Sequence, residues 1–301
     1  MSSRRAVIRG NKTVLISAQT RYIPMMAFKL KFWGVRGSIA CPLPSHMKFG
    51  GNTSCIEVIL GEHRFILDSG TGIRGLGQAF AKDGVNDTKL LFTHTHWDHI
   101  NGFPFFTPAY IPTNSIHIMA GHLKKKNTTI KEVLSTQMGG PMFPIPLEAM
   151  QGKLTFEDFD AGDSFDLYSD VKIRTAPLNH PNDAAGYRIE YEGHSACYIT
   201  DTEHVPGQLD ENILGLIDNA DLVIYDSTYT EEEYPNRVGW GHSTWNEGMK
   251  LCQEAGAKRL AIFHHDPDHD DEFMENLEKE AQDVWDGNFV AREGTTIDVP
   301  G

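Results

Sequence analysis

Apolar and polar positions fall into a regular pattern only from Phe28 onward. "FKLKFWGV" alternates with a period of two, as a half-buried strand does, and "CIEVIL" and "FILDSGTG" follow, separated by glycine-rich turns. In "GIRGLGQAFAKDG", Ile73, Leu76 and Phe80 recur at helical spacing, with Gly84 placed to stop the helix. "TKLLFTHTH" reads as a buried strand. Residues from about 101 to 170 are rich in Phe, Pro, Met and Gly and predict an irregular covering segment, a lid. "VKIRTAPLNH", "AGYRIEYEG", "SACYITD" and "NADLVIYDST" predict further strands. Thr244 with Glu247 predicts a capping box opening a helix around Trp245, Met249 and Cys252, ended by Gly256. "KRLAIFHHD" is a strand, Phe273, Leu277, Ala281 and Val284 mark one face of a last helix, and "TTIDV" closes the pattern.

No internal repeat or linker interrupts 28–301, which predicts one domain of the α/β class. Residues 1–27 read as a tail: their weak apolar patch is broken by Asn11, Lys12 and Thr13, no clean cleavage site follows, and Met25 or Met26 could serve as the start. No apolar run reaches the length of a membrane span, and a cytoplasmic protein is expected.

Coordinating residues stand where apolar runs stop: Asp68, His94, His180, Asp201, Asp226 and His264. Strand ends converge on one edge of a sheet, so residues far apart in sequence can meet there. The densest case is "FTHTHWDHINGF", with three histidines and an aspartate between His94 and His99. Imidazoles so crowded disfavour one another's protonation, and a metal is the simplest agent that draws them together. In His94-x-His96 the spacing of two points both rings to one side of an extended segment. Asp98 and His99 turn the chain and offer a carboxylate and an imidazole to a second ion. Zinc accepts both ligand types, and a metal pair needs one shared ligand, best a carboxylate. His180, Asp201 and His264 fit the vacancies, with His265 left as an alternative to His264.

Composition narrows the substrates. Lys+Arg 27 against Asp+Glu 41 gives 27 − 41 = −14, a poor match to the polyanionic backbone of a long nucleic acid. A small anionic substrate is compatible where metals supply local positive charge. Cys41, Cys55, Cys197 and Cys252 form no CxxC pair and read as small buried residues.

"THTHWDHINGFPFF" resembles the H-x-H-x-D-H signature of the metallo-β-lactamase fold superfamily; "LDSGTG", "LNHP" and "YITDTE" resemble its aspartate strand, third-histidine and bridging-aspartate motifs, in the right order. The resemblance implies an αβ/βα sandwich of two mixed sheets with helices outside and metals at one edge. "GWGHSTWNEG" followed by "KRLAIFHHDPDH" resembles the phosphodiesterase branch, which includes ribonuclease Z and the phosphonate-pathway cyclic phosphodiesterase. By that resemblance the ligands are His94, His96, Asp98, His99, His180, Asp201 and His264. They would hold two Zn2+, with Mn2+ or Fe2+ as alternatives. His242 would be the general acid, beside Asp98 as a further catalytic residue. Asp68 would hydrogen-bond a ligand histidine, and Asp226 would orient His242, although a plain turn aspartate reads the same way.

Within the lid, Phe105, Phe106, Met138 and Phe143 are expected to stack a nucleobase; packing on the core or on a dimer partner is the competing reading. Ribonuclease Z carries its tRNA-gripping arm between the third histidine and the bridging aspartate, where this chain has only 201 − 180 = 21 positions. The phosphonate-pathway enzyme shares that spacing, but Cys41 has no neighbouring cysteine for that enzyme's structural zinc. The expectation is a dinuclear zinc phosphodiesterase acting on small cyclic phosphodiesters, 3′,5′-cyclic nucleotides above all, and working as a homodimer. A ribonuclease Z-type nuclease, a lactonase or thioesterase, and a non-catalytic binding module are the alternatives.

Overall fold

The structure, a computed structural model, describes residues 27–301, so the predicted tail lies outside the described residues apart from Ala27. One sheet contains β1 (Phe28–Gly34), β2 (Cys55–Leu60), β3 (His63–Leu67), β4 (Asp87–Phe92), β5 (Ser115–Ala120) and β6 (Lys153–Asp158), with β14 (Thr296–Asp298) at its far edge, in the order β14-β1-β2-β3-β4-β5-β6. The other contains β7 (Ser164–Tyr168), β8 (Val171–Leu178), β9 (Ala184–Tyr191), β10 (His194–Ile199), β11 (Leu222–Asp226), β12 (Leu260–Phe263) and β13 (Asn288–Val290), in the order β13-β12-β11-β10-β9-β8-β7. Each is mixed: β3 to β6 pair in parallel in the first, and β10 to β13 in the second. This is the expected αβ/βα sandwich.

Side chains from both sheets meet in one buried layer, including Leu30, Phe32, Phe65 and Leu91 from one side and Ile173, Tyr187, Tyr198 and Ile224 from the other. Leu90 and Phe92, one step out of phase with Leu91, face outward instead and pack under α1 (Ile73–Asp83) and α3 (Ile130–Gln137). The outer face of the second sheet is covered by α4 (Glu211–Ile217), α5 (Trp245–Glu254) and α6 (Asp271–Val284). As predicted, α1 buries Ile73, Leu76 and Phe80 and ends at Gly84, whose φ of 74° suits glycine.

Three expectations are corrected. Residues 101–170 are not a lid throughout: β5 and β6 complete the first sheet, β7 edges the second, and α3 has a complete capping box between Thr129 and Glu132. Polar residues on exposed strand faces, such as His117, Thr155 and Glu157, broke the apolar run and hid these strands. At Thr244 only half the predicted box forms. Its hydroxyl accepts from Glu247 N at 3.3 Å, but the Glu247 carboxylate turns to Lys250 Nζ at 3.0 Å. On α6, Val284 is 57% exposed because it is the helix's last residue, and Met274 is buried in its place.

Candidate metal centre and active site

Strand direction assembles the site. β3, β4, β8, β10, β11 and β12 all end at one edge of the sandwich, and Asp68, His94, His180, Asp201, Asp226 and His264 stand at or just beyond those ends. Three of these residues leave their strands in the left-handed region that non-glycine side chains avoid: Asp68 at φ 58°, Asp201 at 57° and His264 at 64°. Such a conformation costs about 1–3 kcal/mol per residue and persists where the surroundings impose it. Here it turns each side chain from its strand toward a common centre.

Three donor groups result among the described residues. One of them, Asp201, Asp226, His242 and His264, includes the predicted acid, and the other two contain the predicted ligands. His94, His96 and His180 form one; Asp98, His99, Asp201 and His264 form the other, with the ligand atoms of each group within 4.8 Å of one another. Asp201 lies between them. Its Oδ1 is 3.6 Å from His94 Nε2 and 3.7 Å from His180 Nε2, while Oδ2 is 3.0 Å from His99 Nε2 and 3.3 Å from His264 Nε2. One carboxylate thus faces both groups, as a shared ligand must. His265 is buried but turned away, bonded through Nε2 to Ala291 O at 2.8 Å, so of the two it is His264 that faces the cluster.

The outer nitrogens are tethered, which aims the inner ones. His94 Nδ1 meets Thr93 Oγ1 at 3.1 Å, His99 Nδ1 meets Asp68 Oδ2 at 2.9 Å, His180 Nδ1 meets Gly241 O at 2.8 Å, and His264 Nδ1 meets Thr228 Oγ1 at 3.0 Å. His96 is reversed, presenting Nδ1 inward to His180 Nε2 at 3.0 Å with Nε2 beside Asn182. Asp68 thus makes the hydrogen bond to His99 that was expected of it, and is itself fixed by Thr93 N, Thr93 Oγ1 and the Tyr198 hydroxyl. Thr93, Thr228, Tyr198 and the Gly241 carbonyl were missed by the sequence reading. The hydroxyl next to His94 was a usable signal; a backbone carbonyl leaves none.

The donor set fits a metal. His94 Nε2 is buried with no hydrogen-bond partner, and the inward nitrogens of His99 and His264 stand 3.4 Å apart. Burial first, and then neighbouring imidazoles, holds His94 and His96 below the usual histidine range. Asp98 and Asp201 are held well below the carboxylate range: burial pushes them up, but facing histidines outweigh it. Neutral imidazoles and ionised carboxylates are the forms that bind metal. His99 is pushed well up, its burial outweighed by Asp201, Asp98 and Asp68. A cation between these groups would meet the same carboxylate charge that pushes His99 up.

His242 stands beside both clusters. Its Nδ1 is 2.8 Å from Asp226 Oδ2, and its ring stacks on His264 with centroids 4.9 Å apart. Burial lowers its proton affinity, but the charge and hydrogen bond of Asp226, then Asp201 and Asp98, raise it to about 9. Asp226 thus fixes the ring and leaves Nε2 to hold a proton.

The four predicted stacking residues separate. Phe106 and Met138 are fully buried among the side chains packed around α1 and α3, so neither can stack a base. Phe105 is 53% exposed and meets Phe143 edge to face at 5.7 Å. Together with Trp97, Met142, Ile100 and Val133 they line a cavity of about 680 Å³, whose wall also includes Thr95 from the histidine loop. Trp97, set between two cluster residues and 80% exposed, was not singled out from the sequence. The four cysteines are buried and unpaired, as read.

Comparison with known proteins completes the picture. The model of the Beta-lactamase superfamily domain matches residues 63–265. The chain belongs to the beta-lactamase superfamily. A ribonuclease Z of Porphyromonas gingivalis is 33% identical over 331 aligned residues, covering 91% of this chain and 100% of that protein. A ribonuclease Z of Natronomonas pharaonis is 22% identical, covering 91% of this chain and 99% of its own length. Among solved structures, the metallo-beta-lactamase fold protein YhfI of Bacillus subtilis shares the fold with a TM-score of 0.69 at 18% identity, covering 91% of this chain and 99% of that one. The family match together with the ribonuclease Z relatives makes this protein a metal-dependent hydrolase, and divalent metal binding goes with the fold. Among the described residues no helix is long and apolar enough to cross a membrane.

Proposed function

We propose that this protein hydrolyses small cyclic phosphodiesters, with 3′,5′-cyclic nucleotides as the leading substrates. That it is a hydrolase of phosphodiesters follows from its family and its relatives; the size and type of ester are our reading. The observation that carries it is the pairing of a two-cluster donor set with an aspartate-backed histidine beside it. Two ions, held by His94, His96 and His180 and by Asp98, His99 and His264 with Asp201 shared, would supply Lewis acidity at the phosphoryl oxygens and a nucleophilic water near neutral pH. Zinc suits this imidazole and carboxylate set. His242, oriented by Asp226, would donate its Nε2 proton to the departing alkoxide oxygen. Phe105, Phe143 and Trp97 would hold the base in the neighbouring cavity, whose only charged lining residue among the described residues is Glu132. The reading treats 28–301 as one domain. It extends to a homodimer that covers exposed Met142 and Ile145, which a monomeric mass by light scattering would rule out.

A second reading, an RNA-processing nuclease, has its own support in the relatives named ribonuclease Z. Against it stands the interval between His180 and Asp201, filled by the hairpin of β9 and β10 with no room for a gripping arm. Zinc-loaded protein assayed side by side on cyclic nucleotides and precursor tRNA separates the two. Turnover of cyclic nucleotides that stops on exhaustive chelation is expected. Cleavage of precursor tRNA without it would select the nuclease, and faster turnover of acyl lactones or thioesters would overturn both.

A further inference from the structure

The segment that follows the shared carboxylate is built around the loop that carries His242. Each residue of "DTEH", 201–204, touches the machinery of that loop or of the metal clusters. Thr202 N donates to Asp226 Oδ2 at 3.3 Å, the same oxygen that His242 Nδ1 meets. Glu203 reaches across to the loop, where its carboxylate accepts from Gly239 N at 2.8 and 2.9 Å and from Gly241 N at 2.7 Å. His204 grips the loop's other end: its Nδ1 meets Ser243 Oγ at 2.8 Å, and its ring stacks on Tyr234 at 4.0 Å. The tyrosine hydroxyl closes the arrangement by donating to His204 O at 2.6 Å.

The loop in turn orients a donor of the three-histidine cluster. Gly241 N is held by Glu203 while Gly241 O accepts from His180 Nδ1, so one peptide segment passes the position of Glu203 on to the His180 ring. Gly241 has φ of 87°, and a Cβ there would stand 2.3 Å from His180 Nδ1. The fit is therefore close, and a shift of the loop shifts the imidazole. Glu203 is also tied to the residue before that histidine: Glu203 N donates to Asn179 O at 2.8 Å, and Asn179 Nδ2 donates to Glu203 O at 2.7 Å.

We propose that Glu203 is a positioning residue that sets His180 and His242 together, by clamping the turn 239–243 onto the strand end carrying Asp201. It touches neither metal nor substrate. Its effect is to make the geometry of the three-histidine cluster and that of the proton donor depend on one carboxylate. The His242 half of this inference rests on the acid role in the proposed function; the His180 half rests only on the metal ligation proposed there.

The test uses the full chain and three variants. Glu203→Ala removes the acceptors. Glu203→Asp keeps the charge but is one methylene too short to span both glycine N–H groups. Glu203→Gln keeps the reach and one acceptor oxygen. Zinc affinity of the three-histidine site, measured by chelator competition without substrate, is expected to fall about tenfold or more in the Ala and Asp variants, the scale on which outer hydrogen-bond partners tune metal sites. The ratio of turnover between a p-nitrophenyl and an alkyl phosphodiester should rise by about the same factor, as the donor loses its alignment. Glu203→Gln should restore most of both. If Glu203→Ala fails to fold, Glu203→Asp decides. Native zinc affinity and a native leaving-group ratio in a folded Ala or Asp variant would overturn the clamp, and so would a Gln variant as impaired as Ala at an unchanged melting temperature. A flat leaving-group ratio in His242→Ala would count against the acid role instead, leaving the zinc measurement to judge the clamp.

Discussion

The two donor clusters share Asp201 and differ in almost everything else. His94, His96 and His180 offer neutral imidazoles, with His96 half-buried and beside Asn182 at the surface. Asp98, His99 and His264 are buried, and the cluster holds a carboxylate of its own besides the shared one. A dication gains more from two ionised carboxylates in a dry site than from imidazoles at its edge, because attraction grows as the effective dielectric falls. The deeper cluster is therefore expected to be the tighter metal site, and the three-histidine cluster the one that exchanges.

The largest effect follows from the residue they share. Asp201→Ala should empty both clusters and bring turnover to background, since metal binding and activity depend on the same assembled ligands. Elemental analysis after desalting checks it; retention of one metal per chain would mean that the carboxylate serves a single cluster. Next comes the exchanging site alone. His96→Ala should leave about one metal per chain and no phosphodiesterase activity, and in the unaltered protein graded chelation should remove one equivalent well before the other. Simultaneous loss of the two would erase the distinction drawn between them.

The same division decides what could be read from the sequence. The loop from His94 to His99 was legible because four donors fall within six positions, and a spacing of two or three residues fixes their relative directions. The other half of the site is assembled by topology. His180, Asp201, Asp226 and His264 were picked out because each ends an apolar run, and the family resemblance chose among them. Nothing local told His264 from His265; the left-handed turn at His264 and the bond from His265 to Ala291 did. The lid failed for the opposite reason. Phe106 and Met138 look like their neighbours Phe105 and Phe143 in sequence, and only the way α1 and α3 pack shows which pair is core. β5 and β6 were hidden because their outward positions are polar.

Intermediate effects test the parts that hold the clusters rather than fill them. His242→Ala should keep both metals yet slow a substrate with a poor alkoxide leaving group by about 10²–10⁴, the usual worth of a general acid. A p-nitrophenolate leaves with little help, so its turnover should suffer far less; equal losses would show that His242 only positions substrate. Asp68→Asn removes the charge behind His99 Nδ1 and should weaken metal binding by about 10–100-fold at the deeper cluster alone. Chelator titration reads this directly, and a loss confined to the exchanging site would invert the comparison.

The smallest effect belongs to the aromatic flank, whose cavity is lined by Thr95 and Trp97 of the histidine loop. Base stacking on an aromatic ring contributes about 1–3 kcal/mol. Phe105 is half exposed and shares the wall with Phe143 and Trp97, so its truncation should fall at the low end. Phe105→Ala is expected to raise KM for a 3′,5′-cyclic nucleotide about fivefold, the equivalent of about 1 kcal/mol, with kcat unchanged. A bis-aryl phosphate without a base should respond less. Phe106→Ala makes the contrast, because that ring is buried: it should lower the melting temperature, as a cavity costing about 3–5 kcal/mol would. If Phe105→Ala lowered kcat and left KM alone, the cavity would be acting on the reacting phosphate rather than on the base, and the occupant assigned to it would be wrong.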